Sequence, residues 1–184
     1  MRVIAGKARR LQLVTAEGND VRPTTDRIKE TLFNILQDEV PGARFLDLFA
    51  GSGGIGIEAL SRGAQRAVFV EQDKRALSCI RKNLQHTRLE DLAAVYPMDV
   101  FRALVLMRKE DPFDIIFMDP PYGRQLEQKA LAVLADSPLA TKDTLFVVEV
   151  SLDTPLDWLA EYGYRLERLK EYKTNGHAFI RRER

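Results

Sequence analysis

The chain has 184 residues, of which 45% are hydrophobic and 30% charged, as expected for one globular domain with a sizeable core. Its formal net charge is +1, and basic side chains gather at both ends of the chain, a weak indication of a phosphate-binding surface. The apolar runs are of strand length, no secretory signal is visible at the N-terminus, and the single cysteine, Cys79, excludes an intrachain disulfide. We therefore expect a cytoplasmic protein without a membrane segment.

The N-terminal part of the chain differs from the rest. Residues 2–6 and 10–15 alternate in the manner of a small β-hairpin, and the segment after Pro23 predicts an amphipathic helix. We treat residues 1–40 as an N-terminal hairpin and helix extension, and residues 41–184 as one compact α/β domain.

Strand-like and helix-like segments alternate from residue 44 onward. The predicted strands are, in order, FLDLF, AVFVE, AAVYPMD, FDIIFMD and TLFVVEV, with helices between them. A helix with Pro155 in its first turn follows, and the final segments YRLERLKEY and HAFIRR flank Asn175-Gly176, a pair typical of hairpin turns. This order predicts a doubly wound, mostly parallel seven-stranded α/β sheet with an antiparallel C-terminal hairpin.

A glycine-rich segment, FAGSGGIG at residues 49–56, follows the first of these strands. Gly51, Gly53 and Gly56 form a G-x-G-x-x-G pattern between a strand and a helix, and Glu71 ends the next strand about twenty residues later. This spacing is typical of a nucleoside-cofactor site. By itself it does not distinguish NAD from other nucleosides.

Acidic residues near the loop favour one cofactor class. Asp47, just before the loop, would repel a pyrophosphate, whereas it can hold the cationic ammonium of S-adenosylmethionine. Glu71 can accept hydrogen bonds from ribose hydroxyls. Asp99, after the third strand, can contact an adenine amine, or cap the next helix, or do both.

The fourth strand ends in Asp119-Pro120-Pro121-Tyr122, which should border the same crevice as the glycine loop. The Asp119 carboxylate and the Pro120 carbonyl can together accept both hydrogens of a planar amine, and Tyr122 can stack on the ring that carries it. This arrangement suits methyl transfer to an exocyclic amine. The plain alternative is a rigid connector without a chemical role.

The segments FLDLFAGSGGIGIEAL and DPPY together resemble the class I S-adenosylmethionine-dependent amino-methyltransferases. With RVIAGKARRLQL and RPTTDRIKETLFNIL added, the series resembles the RsmD family of bacterial methyltransferases, which modify the exocyclic N2 of a guanine in 16S ribosomal RNA. DPPY is shared with adenine-N6 DNA methyltransferases, so it indicates the reaction type and not the substrate.

The resemblance implies a class I methyltransferase fold, S-adenosylmethionine as cofactor, and 16S ribosomal RNA as partner, within an assembling or assembled small subunit. The implied catalytic residues are Asp119, Pro120, Pro121 and Tyr122. The implied cofactor-binding residues are Asp47, Phe49, Gly51, Ser52, Gly53, Glu71, Gln72, Asp99 and Val100. The implied RNA-binding residues are Arg9, Arg10, Arg22 and Arg124.

Three other functions are weighed against this one. An adenine-N6 or protein-glutamine methyltransferase would use the same tetrapeptide. An NAD-dependent dehydrogenase is disfavoured by Asp47, and a non-catalytic RNA-binding module is disfavoured by the intact loop and tetrapeptide. His86 and His177 lack partners at metal-ligand spacing, so we expect no metal site, and Cys79 is expected to be a core residue.

Overall fold

The computed structural model of the chain describes residues 1–16 and 25–183. Within them, seven strands form one sheet in the order β3-β2-β1-β4-β5-β7-β6. The strands are β1 (Arg44–Asp47), β2 (Arg66–Glu71), β3 (Ala93–Pro97), β4 (Ile115–Met118), β5 (Leu145–Ser151), β6 (Tyr164–Glu171) and β7 (Asn175–Arg182). Strands β1 to β5 are parallel and β7 is antiparallel to both its neighbours. The predicted fold class is therefore confirmed.

Helices connect the parallel strands. They are α1 (Asp26–Ile35), α2 (Gly54–Ser61), α3 (Lys74–Thr87), α4 (Val100–Leu106) and α5 (Leu126–Ala135). Side-chain caps begin three of them: Thr25 for α1, Asp73 for α3 and Asp99 for α4. Each cap accepts a hydrogen bond from a backbone N–H that has no partner within the helix, which places the helix start at that residue. No helix in the described ranges is long and apolar enough to cross a membrane.

The central parallel strands β1, β2, β4 and β5 are buried on both faces, which explains their continuous apolar runs. Alternate residues of one strand enter different hydrophobic clusters: Phe45 of β1 packs with α1, α2 and α3, whereas Leu46 packs with α4 and α5. Phe117 and Ile116 of β4 divide in the same way. This double burial fixes the plane of the sheet and therefore the level at which its carboxyl ends emerge.

The N-terminal extension packs along α2 and does not form a regular hairpin. Its two arms meet at one bridge, Arg2 with Gln12, and through three backbone hydrogen bonds, Val3 N to Leu11 O at 2.9 Å, Arg10 N to Val3 O at 2.9 Å and Leu13 N to Met1 O at 3.0 Å. The pairing stops there because side chains of α2 take the next backbone groups: both oxygens of Glu58 accept hydrogen bonds, from Ile4 N at 2.8 Å and Ala5 N at 3.0 Å. The boundary at residue 40 stays a prediction.

Buried charges fasten the extension to α2. Lys29 of α1 is fully buried and donates to the Arg2 carbonyl at 2.5 Å, while its Nζ lies 3.3 Å from Glu58 Oε2. Arg62 supplies a second cation to Glu58, at 2.8 Å. Burial lowers the pKa of Lys29, and the charge of Glu58 partly offsets that effect. The Glu58 carboxylate is thus the common anchor for both segments of the extension.

Two local predictions were wrong. The segment after Pro155 is a 3-10 helix, Asp157–Tyr162, in place of an α-helix, and Gly163 ends it in a left-handed conformation with φ of 73°. The Asn175-Gly176 pair belongs to β7 and not to the turn, because Tyr172 N donates to Asn175 O at 2.8 Å and closes the turn before the pair. The Asn175 side chain is used elsewhere, in the site described below.

Candidate active site

Five acidic residues occur at the carboxyl edge of the sheet, each at or near the end of a different parallel strand. Asp47 ends β1, Glu71 ends β2, Asp99 follows β3, Asp119 follows β4, and Glu149 lies near the end of β5. The carboxyl ends of parallel strands share one edge, so residues as far apart in sequence as 47 and 149 meet there. Glu149 was missed by the sequence analysis, although a glutamate inside the apolar strand LFVVEVS was a visible signal.

The glycine loop, residues 49–56, has two separate requirements for glycine. Gly51 and Gly53 have φ of 53° and 81°, in the left-handed region that favours glycine. At Gly56 the reason is space, since an added Cβ would lie 2.3 Å from the Phe69 ring of β2. The loop is also tied to β2 by a hydrogen bond of 2.8 Å from Gly51 N to Glu71 Oε2. The three glycines thus let the loop turn tightly and bring α2 against the sheet.

Asp47 is a buried carboxylate that uses only one of its two oxygens in a hydrogen bond to the described residues. It is 1% exposed, and its Oδ2 accepts a hydrogen bond of 3.2 Å from Gly56 N. Its Oδ1 has no hydrogen-bond partner among the described residues. Burial raises the pKa of Asp47 to about 7, the Gly56 hydrogen bond opposes this, and the charge of Glu71 adds to it. A cation at Oδ1 would relieve this unfavourable state, which fits the ammonium of S-adenosylmethionine.

The other candidate cofactor residues surround the same loop. Glu71 is half-buried, and its Oε1 accepts from both Gln72 N and Asp73 N at 2.8 Å, which fixes the carboxylate at the strand end. Asp99 Oδ1 accepts from two backbone N–H groups of α4, at 3.0 and 3.1 Å. The predicted capping role of Asp99 is therefore confirmed, and Val100, the first residue of α4, is buried beside it.

Phe49 and Ser52 complete the loop. Both are half-buried, and Phe49 packs against the cluster beneath α4 and α5. The Ser52 carbonyl accepts a hydrogen bond of 2.9 Å from Asn83, a buried residue of α3 whose amide also pairs with the Val14 backbone of the N-terminal extension. The loop is thus held from two sides, by β2 and by α3.

The tetrapeptide at residues 119–122 leaves the sheet directly after β4. Asp119 is half-buried, Pro120 is buried, and Pro121 and Tyr122 are exposed, with Tyr122 at 55%. Burial raises the pKa of Asp119 to about 8, and the nearby charges of Glu149 and Asp47 add to the effect. Asp119 therefore lies in the same acidic surroundings as Asp47. A cation bound between the two carboxylates would stabilise the ionised form of both.

Glu149 joins the tetrapeptide to the antiparallel edge of the sheet. Its Oε1 accepts from the Tyr122 hydroxyl at 2.9 Å and from Asn175 Nδ2 at 2.6 Å. His177, its register partner on β7, places Nε2 at 3.5 Å from Oε2, and the Tyr172 hydroxyl lies 3.1 Å from His177 Nδ1. Burial raises the pKa of Glu149, but the nearby His177 ring and the hydrogen bonds from Asn175 and Tyr122 outweigh burial and hold that pKa below its usual value.

The candidate RNA contacts lie in different places. Arg124 is exposed and follows the tetrapeptide directly. Arg9 and Arg10 are exposed on a turn packed against the last turn of α2, the end away from the glycine loop, where Lys7 N donates to Ser61 O at 2.8 Å. Arg22 lies outside the described residues.

A cavity opens beside the turn that carries Arg9 and Arg10. It has a volume of about 500 Å³ and is lined by Arg2, Val3, Ile4, Arg9, Arg10, Asp26, Arg27 and Glu30. Four arginines and two acids give it a net positive lining. The residues the structure describes include no group of three or more His, Cys, Asp or Glu side chains placed to hold a metal ion.

Comparisons with known proteins place the chain among methyltransferase relatives. A family profile described as conserved hypothetical protein 95 matches residues 1–180. The candidate rRNA methyltransferase YlbH of Bacillus subtilis is 44% identical over 149 residues, 80% of each chain. The ribosomal RNA small subunit methyltransferase D of Haemophilus influenzae is 38% identical over 159 residues, 85% of this chain and 81% of the relative. Among solved structures, the candidate methyltransferase yhhF of Escherichia coli superposes with a TM-score of 0.84 at 33% identity, covering 100% of this chain and 98% of that one.

Proposed function

Because the chain belongs to the RsmD family, we propose that it transfers a methyl group from S-adenosylmethionine to the exocyclic N2 amine of a guanine in 16S ribosomal RNA. One observation carries this proposal above the others. The Asp119-Pro120-Pro121-Tyr122 tetrapeptide lies at the same sheet edge as Asp47, whose buried carboxylate has a free oxygen among the described residues. This arrangement supports the proposal, because a group suited to hold an amine and a group suited to hold a cation lie at one edge of the sheet.

The methyl donor is S-adenosylmethionine, which supplies an electrophilic methyl group on a sulfonium. Asp47 would hold its ammonium through Oδ1, and Glu71, already fixed by three backbone N–H groups, would accept from the ribose hydroxyls. Asp99 would contact the adenine amine through the carboxylate oxygen that the helix cap leaves free. Phe49, Gly51, Ser52, Gly53, Gln72 and Val100 would form the walls of this site.

On the substrate side, the Asp119 carboxylate and the Pro120 carbonyl would accept the two amine hydrogens. An exocyclic amine is a poor nucleophile because its lone pair is delocalised into the ring. Two acceptors that hold its hydrogens aim the lone pair toward the donor and supply positioning for an in-line displacement. The alkylated nitrogen is acidic and loses a proton, which Asp119 can accept because its pKa is raised to about 8.

The RNA would reach the site with its target base unpaired, because a base within a helix cannot enter the crevice. Arg124 would contact phosphate beside the tetrapeptide, and Arg9 and Arg10 would contact it farther away, where they line the basic cavity. Arg22 is proposed as a further phosphate contact. The small subunit, assembling or assembled, is the proposed particle, and a particle that presents the base would add to the affinity that these few contacts supply.

The test is methyl transfer from tritiated S-adenosylmethionine to ribosomal RNA and to small subunits from a strain lacking the protein, followed by nucleoside mass spectrometry. We expect N2-methylguanosine. Asp119→Ala should abolish transfer and leave cofactor binding nearly intact, because Asp119 contacts the amine and not the cofactor. Asp153→Ala, an exposed acid beyond β5, is the matched control and should keep full activity. N6-methyladenosine, methylated protein glutamine, or unchanged turnover in Asp119→Ala would overturn the proposal.

A further inference from the structure

We propose that Glu149 is a positioning residue for methyl transfer, which holds the Tyr122 ring against the target base through the Tyr122 hydroxyl. The inference rests on the proposed function, because it concerns the same site. It assigns a role to a residue that neither the glycine loop nor the tetrapeptide contains.

The first step is that Tyr122 needs a tether. It follows two prolines in a connection outside the sheet and is 55% exposed, so core packing does not select its rotamer. Its hydroxyl donates to Glu149 Oε1 at 2.9 Å, which links the ring to β5. A ring held in one orientation stacks on a base without first losing rotamer freedom, and base–aromatic stacking depends on that orientation.

The second step is that Glu149 itself is held rigidly. It is 9% exposed and lies on β5, a central strand paired on both sides. Asn175 Nδ2 donates to the same Oε1 at 2.6 Å, and His177 Nε2 lies 3.5 Å from Oε2. Hydrogen bonds to an ionised carboxylate are stronger than hydrogen bonds between neutral groups. The contact with Asn175 of β7 therefore fixes the Glu149 carboxylate, and the fixed carboxylate in turn fixes the Tyr122 hydroxyl.

The third step is that packing does not require a carboxylate here. Apart from Glu149, all the residues from Leu145 to Val150 are buried and apolar. Burying a charge costs free energy that an apolar side chain at this position would avoid. Two of its partners, Asn175 and His177, are themselves buried polar residues of β7. The polar cluster has one exposed member, Tyr122, and it lies at the substrate side of the sheet edge.

The experiment is a double-mutant cycle with Tyr122→Phe, Glu149→Leu and the double variant, measured as methyl transfer to small subunits; leucine is chosen because glutamine would keep an oxygen that accepts from the Tyr122 hydroxyl. Each single change should lower kcat/KM about tenfold, the effect of one hydrogen bond to a charged group. The double variant should fall within about twofold of the singles, because both changes remove the same contact. The loss should occur in kcat, while KM for the subunit changes less than threefold, since phosphate contacts dominate RNA affinity.

Controls separate this role from a structural one. Asp153→Asn removes one exposed charge at the same end of β5 and should keep full activity. Glu149→Leu should keep the cofactor affinity of the parent, and Asn175→Ala, the second variant, should lower kcat only when Tyr122 is present. Additive losses in the cycle, or a fall in cofactor affinity equal to the fall in kcat, would overturn the inference.

A readout without RNA distinguishes this inference from the proposed function. In spectra of protein with ¹³C-labelled tyrosine rings, Tyr122→Phe identifies the Tyr122 resonance. Glu149→Leu, which leaves no acceptor for the Tyr122 hydroxyl, should move that resonance to the position of a freely rotating exposed tyrosine, and Asp153→Asn should not. If the parent protein fails to methylate ribosomal RNA, the proposed function fails and the spectra still decide whether Glu149 holds Tyr122. An unchanged resonance would refute the tether.

Discussion

Replacing Asp47 by Asn should stabilise the free protein and weaken its hold on the cofactor. The folded chain raises the pKa of Asp47 from 3.8 to about 7, chiefly by burial. The folded state therefore binds a proton more tightly than the unfolded state, and ionising the group as pH rises from about 4 to 7 lowers stability. The pKa difference corresponds to about 4 kcal/mol at pH 8, which is an upper bound on the gain.

The net gain should be smaller than this bound. An Asn oxygen can still accept from Gly56 N, but its NH₂ group would be buried where Asp47 Oδ1 has no partner among the described residues, which costs about 1–3 kcal/mol. We expect Asp47→Asn to raise the free energy of unfolding by about 2 kcal/mol at pH 8 and the melting temperature by about 4–8 °C. The dissociation constant for S-adenosylmethionine should rise about 30-fold or more, because a buried charge pair is lost.

The assay is urea denaturation at pH 8 and at pH 4, with calorimetric titration of the cofactor at pH 8. At pH 4 the folded-state carboxyl of the parent is already neutral, so the gain disappears and only the cost of the buried NH₂ group, about 1–3 kcal/mol, should remain. Asp38→Asn, which removes an exposed charge, should change neither stability nor affinity. An Asp47→Asn variant that is destabilised at pH 8, or a difference that stays constant from pH 8 to pH 4, would refute the reasoning that burial keeps this carboxyl poised for a cation.

Two further predictions concern pH and the N-terminal extension. Because the pKa values of Asp47 and Asp119 are raised to about 7 and about 8, kcat/KM for the cofactor should increase with pH between 6 and 8 as both carboxyls ionise; a flat profile would contradict this. Glu58→Ala should lower the free energy of unfolding, measured by urea denaturation, by about 3–5 kcal/mol, because it leaves Lys29 buried without its anion. The control is Glu30→Ala, which removes an exposed acid of α1. An equal loss in both variants would count against Glu58 as the buried anchor.

The sequence predicted the fold closely because the patterns that mark strands, helices and the glycine loop each lie within a short segment of the chain. Apolar runs buried on both faces marked β1 to β5, and the glycine loop and tetrapeptide each contain the backbone and side-chain chemistry of their own part of the site. Asp47, Glu71 and Asp119 could be placed together from a general rule, since parallel strands end at one edge. No knowledge of strand order was needed for that step.

Local pattern failed where a contact depended on distant pairing. Asn175-Gly176 has the composition of a hairpin turn, yet both residues lie in β7, where the Asn175 side chain donates to Glu149 of β5. The N-terminal arms pair antiparallel as the pattern predicts, but the pairing is short, because the Glu58 carboxylate of α2 accepts from the next two backbone N–H groups of the first arm.

The amino-acid sequence by itself determined the alternation of strands and helices, the glycine loop and the chemistry of the Asp119–Tyr122 segment, because neighbouring residues carry all of that information. Only the tertiary structure decided that Glu149, Asn175 and His177 meet behind Tyr122. The antiparallel pairing of β5 with β7 sets residue 149 opposite residue 177, and this register exists only once the sheet has assembled. Burial in that sheet also sets the pKa of Asp47, since the same carboxylate in the unfolded chain would be an ordinary acid.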